Sequence, residues 1–395
     1  MVSRLFFARY CAFTALSSVN FQRGLLIVFL VDSGLSSVAI GWVQSVAFLA
    51  NMLAEIPTGL FADHMGRKGV LVLGLLLLAA NGVGYAIFRG PMAFLVLSSI
   101  GGIGRACQSG GADALLYDHL ERVGRRADYT RLYSLSRAIG TFALCLSIGL
   151  GGLLAALGWA WLFLCYAACM VAAIAFVAGM AEPARADDDG VPSKPSVVRD
   201  FIAFMSSLSG RNILLLILAA SLFDVVTSLY LFYAPALFVS AGLSKQSTAF
   251  AMSGYELIAS FFYLAATRLL RLATPKILMI SVLVVGAAVV AAAASGKLFG
   301  SIAVLTVLMT LPDIYDVAFN SYTQTLLPSK VRATALSCYS FIRSILLMIA
   351  FPLFGVFSNG RPIRIALACL SLVMVLSIMV QLMSFRQRSQ RLRLE

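Results

Sequence analysis

The sequence predicts an all-α membrane protein, with twelve transmembrane helices in two pseudo-symmetric six-helix bundles. Three observations predict it. First, the chain of 395 residues is 61% hydrophobic and has a mean hydropathy of +0.93, more apolar side chain than a soluble domain can hide. Second, long apolar stretches alternate with short polar ones. About 20 apolar residues cross a bilayer, so this length holds twelve crossings, short loops and one longer linker, with no room for a second soluble domain. Third, the halves echo each other. Gly34-Leu35-Ser36 recurs as Gly242-Leu243-Ser244, and Tyr133-Ser134-x-x-Arg137 as Tyr339-Ser340-x-x-Arg343. Two echoes at nearly one offset, in corresponding places, argue for duplication of a six-span half.

The elements follow from the apolar runs. Span 1 is expected from about Phe7 to Val31, span 2 from Val38 to Gly59, and span 3 from Val70 to Phe88. Span 4 covers Met92 to Leu116, span 5 Tyr133 to Leu157, and span 6 Trp161 to Ala181. These form an N-terminal bundle, residues 1–181. The longest polar stretch follows, residues 182–211, with Asp187-Asp188-Asp189-Gly190 and two prolines. It reads as a cytoplasmic linker. Val197, Phe201, Phe204 or Met205, and Leu208 recur in it at helical spacing and predict a short helix on the membrane surface. The second bundle, residues 212–385, holds spans 7 (Asn212 to Val239), 8 (Thr248 to Arg268) and 9 (Ile277 to Ser295). Spans 10 (Leu298 to Leu327), 11 (Ala335 to Phe357) and 12 (Ile363 to Phe385) complete it, and residues 386–395 form a basic cytoplasmic tail.

The net charge of +13 invites a nucleic-acid reading, which the distribution excludes. Most of the 30 Lys and Arg fall in alternate loops, on one side of the membrane. That is the positive-inside asymmetry, and it places both termini in the cytoplasm. No cleavable signal is evident, because the first apolar segment runs on through Asn20, Gln22 and Arg23. The seven cysteines lie in apolar segments without accompanying ligands, so no disulfide or metal framework is expected. His64 and His119 both fall in cytoplasmic loops and form no metal pair. No cofactor is implied. No nucleophile with a base and no phosphate-binding loop appears, which argues against an enzyme.

One polar run stands out in the first hundred residues, from Gly59 to Val70. It reads as a tight loop on the cytoplasmic side. Its Gly59-x-x-Ala62-Asp63-x-x-Gly66-Arg67-Lys68 closely resembles the signature loop between spans 2 and 3 of the major facilitator superfamily. Glu55-Ile56-Pro57-Thr58-Gly59 upstream is similar to the end of span 2 in drug-exporter-like members. The resemblance implies a conformational latch of Gly59, Asp63, Gly66, Arg67 and Asp118. In it Asp63 faces the helix beginning near Ala333 to Ala335, and Arg67 faces Asp118. An anion near a helix N-terminus gains about 0.3–1 kcal/mol. Arg105-Ala106-Cys107-Gln108-Ser109-Gly110 resembles the span-4 motif that the family links to proton coupling, with Ser109 in place of a glycine. Ser147-Ile148-Gly149-Leu150-Gly151-Gly152 keeps the glycines of the span-5 antiporter motif but not its proline.

Charges inside the apolar segments should carry the mechanism. Arg23, Arg105 and Arg137 fall in the first half; Asp224, Glu256, Asp313, Asp316 and Arg343 fall in the second. Each costs about 2.5–3.5 kcal/mol at a helix centre, so they must face one another or a hydrated cavity. A buried carboxylate can exchange a proton near neutral pH, whereas arginine cannot. Proton coupling is therefore expected at Asp224, Glu256, Asp313 or Asp316, with Arg105 added by the motif. Structural salt bridges are the alternative for each. A cavity for substrate is expected from Asn20, Gln22, Arg23, Asn51, Arg137, Tyr230, Tyr233, Tyr255, Tyr315, Asn320, Tyr322 and Arg343.

The resemblance implies a monomeric transporter of the bacterial inner membrane that exports a small organic molecule, a drug or secondary metabolite, against protons. Proton-coupled uptake of an anionic solute, such as a carboxylate siderophore, is the second reading. A membrane sensor or scaffold that moves nothing is the third.

Overall fold

The structure is a computed structural model. It describes residues 2–109, 111–180, 208–292, 298–326 and 329–391, which form helices and no strand. The helices are α1 (Val2–Ser18), α2 (Leu26–Asp32), α3 (Ser37–Met65), α4 (Arg67–Ile87) and α5 (Pro91–Gln108). Then come α6 (Gly111–Arg122), α7 (Tyr129–Leu157), α8 (Trp159–Ala178), α9 (Leu208–Ser240) and α10 (Lys245–Leu272). The last five are α11 (Pro275–Ala292), α12 (Leu298–Leu326), α13 (Ser329–Ser358), α14 (Ile363–Ala368) and α15 (Leu370–Arg391).

Among the described residues, seven helices are long and apolar enough to cross a membrane by length and composition. The other crossings are interrupted, charged or short. α1 and α2 make one broken crossing and α5 with the start of α6 a second, whereas the pair α14 and α15 is already one of the seven. α10, α11 and α12 bring the set to the twelve that the sequence predicts. The short surface helix expected in the linker lies outside the described residues, Leu208 excepted.

The expected tight loop from Gly59 to Val70 is not a loop. Helix α3 continues to Met65 and α4 starts at Arg67, so Gly66 alone turns the chain. Its φ of 82° lies in the left-handed region, which glycine reaches without a side-chain clash. Residues 59–65, with Asp63 and His64 among them, stay helical because their backbone groups pair within α3, where an open loop would leave them to water.

The chain divides into two compact units. Unit 1 comprises Met1–Ala186, Gly242–Leu257 and Phe351–Val356. Within it α4 packs on α5 and α8, α3 on α5, and α1 on α7 and α8. An aromatic cluster pins α2: Phe29 meets Phe163 at 4.8 Å, Trp159 at 5.3 Å and Phe94 at 5.6 Å. The first turns of α10 also belong here. Lys245 pairs with Asp32 at 2.5 Å and lies over the Trp159 ring at 4.6 Å.

Glycines set the helix spacing. A Cβ on Gly102 would lie 2.5 Å from the Ala47 carbonyl oxygen and 3.0 Å from the Ala50 Cβ, so α5 touches the α3 backbone there. Close approach through small residues is how membrane helices gain packing energy without a hydrophobic drive. Gly102→Ala is expected to cost about 1–3 kcal/mol, because overpacking must shift a backbone. A thermal midpoint in detergent equal to wild type would refute this.

His119, expected in a loop, sits on α6 and is 3% exposed. Its ring stacks on Phe6 at a centroid distance of 3.5 Å. Burial first, and Arg122 second, hold its pKa below the usual histidine value. The unfolded chain therefore takes up the proton more readily than the folded one. Stability contributed by this site is complete above about pH 6.5 and is lost as pH falls toward the lower folded-state value. His119→Phe should remove that slope from the thermal midpoint between about pH 7 and 5; an unchanged slope would assign it elsewhere.

Unit 2 comprises Asp187–Ala241, Ile258–Ala350 and Phe357–Glu395. Helix α9 packs on α12 and α15, and α11 on α12 and α15. A buried polar seam joins them. Ser377 donates to the Ala219 carbonyl at 2.7 Å, Ser384 to the Asn212 carbonyl at 2.8 Å, and Tyr315 to Gln381 Oε1 at 2.7 Å.

Candidate functional site

The expected continuous span 1 is broken between α1 and α2, and the break holds Asn20, Gln22 and Arg23. Short-range bonds replace the helical ladder: Arg23 N–H donates to the Asn20 carbonyl at 3.2 Å, and Leu25 N–H to the Gln22 carbonyl at 2.9 Å. The side chain of Ser147 on α7 takes one freed donor, accepting from Asn20 N–H at 2.9 Å. Gly151 makes room for the Phe21 carbonyl, where any Cβ would clash. Gly152 lets α10 approach, since its Cβ would sit 2.7 Å from the Ala249 Cβ. The span-5 glycines thus have a local task. They accept irregular backbone from one neighbour and a close helix from another.

Arg23 emerges from this break and pairs with Glu256 on α10 at 2.7 Å. Tyr255 O–H also donates to Glu256, at 2.9 Å. The Glu256 side chain is 13% exposed and that of Arg23 35%. The carboxylate is thus nearly enclosed, with two donors compensating its charge.

Arg105 differs. It is exposed, although Gly104 and Ala106 on either side are buried. The phenols of Tyr166 and Tyr85 lie nearest to it electrostatically. Both tyrosines are buried. Among the described residues its guanidinium has neither a hydrogen bond nor an acid. The Gln22 side chain hydrogen-bonds the same Tyr166. Gln22 Oε1 and Asn20 Oδ1 are buried acceptors with no hydrogen-bond partner.

Farther along unit 1, Arg137 Nε donates to Tyr133 O–H at 3.0 Å, and the Arg137 guanidinium meets Asp113 at 3.5 Å. Asn51 donates to Glu55 at 3.2 Å along α3. Arg67 pairs with Asp118. The surroundings of Gly59, the side chain of Asp63 and those of the segment holding Ala333 and Ala335 lie outside what is described.

In unit 2, Asp224 accepts from Arg343 Nε at 3.2 Å and from the Tyr339 hydroxyl. Asp316 accepts from Asn320 at 3.0 Å and lies within electrostatic reach of Asp224 and Arg343. Asp313 is half-buried one turn earlier. The expected cavity tyrosines are packed between helices. Tyr230 is buried against the Val290 carbonyl at 3.4 Å, Tyr315 reaches Gln381, and Tyr322 packs on Phe385 at 5.5 Å. Tyr233 and Tyr255 are buried too. A tyrosine body gains more from burial than it loses, provided its O–H finds a partner.

A family model described as Major Facilitator Superfamily matches residues 5–352. The chain belongs to the major facilitator superfamily. It is a multi-pass membrane transporter, not an enzyme. Among solved structures, a mutant of the nucleoside transporter NupG is similar at a TM-score of 0.82 and 14% identity, covering 96% of this chain and 100% of that one. A bacterial homolog of the human lysosomal transporter Spinster, inward-facing and occupied, gives 0.78 and 15%, covering 98% and 97%. A D-xylose–proton symporter gives 0.70 and 16%, covering 96% and 95%. At these identities the likeness establishes the fold alone. No curated protein sequence matches the chain.

Sequence reasoning missed Tyr339, Tyr85 and Tyr166 as partners of the charges in this major facilitator chain. A signal existed for the first. The Tyr-x-x-x-Arg echo places a phenol one turn before each arginine, and in both units that pair engages one aspartate, Asp113 or Asp224.

Proposed function

We propose that this transporter is a proton-coupled secondary carrier that exports a small organic molecule across the bacterial inner membrane, with both termini in the cytoplasm. Its two six-span halves, residues 1–181 and 212–385, rock about a central site in alternating access. One observation carries the proton coupling: Asp224, Asp316 and Arg343 form a cluster of two carboxylates and one guanidinium. Among the described residues one negative charge there has no counter-charge, so one carboxylate is free to take a proton and give it up again. The membrane potential adds about 2.3 kcal/mol per charge per 100 mV, enough to bias the cycle.

Export is the direction implied by the drug-exporter-like motifs around Asp63 and Arg105. Proton-driven uptake of an anionic solute is the second reading, and the Arg105 guanidinium without an acid favours it. Proteoliposomes carrying oriented protein, an imposed pH gradient and a panel of organic solutes test both. Solute moving against the proton gradient supports export, and solute moving with it supports uptake. Flux indifferent to the gradient would refute the coupling, and no flux of any solute would leave a sensor or scaffold.

A further inference from the structure

We infer that Tyr339 is a positioning residue for the proton on Asp224: with Arg343 it holds one carboxylate oxygen and leaves the other to be protonated. The inference rests on the carrier reading and adds how its proton site is built. Among the described residues two donors reach Asp224, and both end on the same oxygen. Arg343 Nε donates to Oδ2 at 3.2 Å, and the Tyr339 hydroxyl donates to Oδ2 as well. Oδ1 accepts no bond among the described residues. It is not one of the buried side-chain oxygens that go unpaired, and 18% of the side chain is open. Oδ1 is therefore the atom that water can reach. Protonation forms an O–H bond there, with hydronium as donor, and Oδ2 becomes the carbonyl oxygen of a neutral carboxyl. Release returns the proton to water and restores the charge.

Both donors come from one face of α13, one turn apart. The Tyr339 ring aims its hydroxyl by packing on Phe319 of α12, with centroids 5.1 Å apart and Phe319 2% exposed. Asp316 is held differently, since its partner Asn320, at 3.0 Å, lies on the same helix, α12. A shift of α13 against α9 thus alters the bonds on Asp224 and leaves the Asn320 bond on Asp316 intact. A group held differently in two conformations shifts the balance between them, so protonation of Asp224 and the position of α13 are tied. The other titratable groups toward Asp224 are Asp316 and Tyr315 on α12, and the Tyr315 hydroxyl is taken by Gln381. Helix α15 meets α9 through the neutral Ser377 and Ser384. Unit 1 supplies a contrast. Tyr133 and Arg137 repeat the spacing, but there the phenol oxygen accepts from Arg137 Nε at 3.0 Å. That phenol serves the arginine, whereas Tyr339 serves the acid.

Infrared difference spectra of the purified full chain, taken across about pH 4 to 9, test this. Asp224 is recognised as the protonated-carboxyl band that Asp224→Asn removes. In wild type that band is expected at the low-frequency end for carboxyls, because its carbonyl oxygen Oδ2 accepts two bonds. Tyr339→Phe keeps the ring on Phe319 and removes one donor, so the band should move to higher frequency. Tyr133→Phe, the matching change in unit 1, should leave it in place. Gradient-driven accumulation should fall about tenfold in Tyr339→Phe, with exchange in the absence of a gradient within about threefold of wild type. Absence of any band lost in Asp224→Asn, a wild-type band at the free-carbonyl end, a band unmoved by Tyr339→Phe, or wild-type accumulation in that variant would each overturn the inference. If Tyr339→Phe does not fold, the wild-type frequency decides alone. The spectra need neither solute nor gradient. A low-frequency Asp224 band shifted by Tyr339→Phe, without gradient-driven flux, would sink the carrier reading only. Gradient-driven flux with an unmoved band would sink this inference only.

Discussion

Glu256→Gln is expected to lower the unfolding free energy by about 2–3 kcal/mol. Removing one partner of a buried pair costs about 3–5 kcal/mol, because the other charge is left stranded, and solvent around a partly open group reduces that. Here Arg23 keeps 35% of its side chain open while Glu256 keeps 13%, so the lower figure applies. The consequences are local and large. Arg23 sits in the break between α1 and α2, and Glu256 sits in the turns of α10 that pack with unit 1. Losing the pair frees α10 from the break. The double variant Arg23→Gln with Glu256→Gln should regain part of the loss, since neither member of the pair is then left as a stranded charge. Thermal midpoints of the four proteins in detergent form a double-mutant cycle. Additive losses would show that the pair is not what holds these elements together.

Asp224→Asn should reduce pH-gradient-driven accumulation by about 100-fold, the size usual for loss of a positioned proton-transfer group. Exchange of solute across the membrane without a gradient should continue within about threefold, because substitution leaves the helices in place and Tyr339 still finds a side-chain oxygen. The physical reason is the charge count around Arg343. With Asp224 neutral, Asp316 becomes the sole carboxylate beside the guanidinium, and a pair of equal and opposite charges has no vacancy for a proton. Accumulation and exchange falling together would point to a structural role for Asp224.

The twelve-crossing architecture was legible because apolar length is a one-dimensional property. Any stretch that must cross oil has to announce itself, and the family resemblance at Gly59 to Lys68 named the fold. Local detail was harder where a distant residue decides it. Nothing near Asn20 shows that Ser147 takes its amide hydrogen, or that Gly151 clears space for the Phe21 carbonyl, so the break in span 1 was read as continuous helix. The run from Gly59 read as a loop because it is polar, yet polarity does not end a helix and Gly66 does. Charges within helices identified the site candidates but not their pairing. Arg23 and Arg105 look alike in sequence, and only the fold gives one of them an acid. Tyrosines were the least legible, since Tyr230, Tyr315 and Tyr322 are packed between helices while Tyr339, not singled out, bonds Asp224.

The central claim is that these intramembrane charges face water-filled space rather than lipid. In a background with the seven cysteines replaced, Arg105→Cys and Asp316→Cys test it by their reaction with thiol reagents. Reaction needs the thiolate, which forms only where water reaches. A small charged, water-soluble reagent is predicted to label both variants at rates well above those for Leu372→Cys and Val96→Cys, on exposed apolar positions. Labelling of Arg105→Cys and Asp316→Cys confined to a lipid-soluble reagent, at the rate of those two controls, would contradict the account.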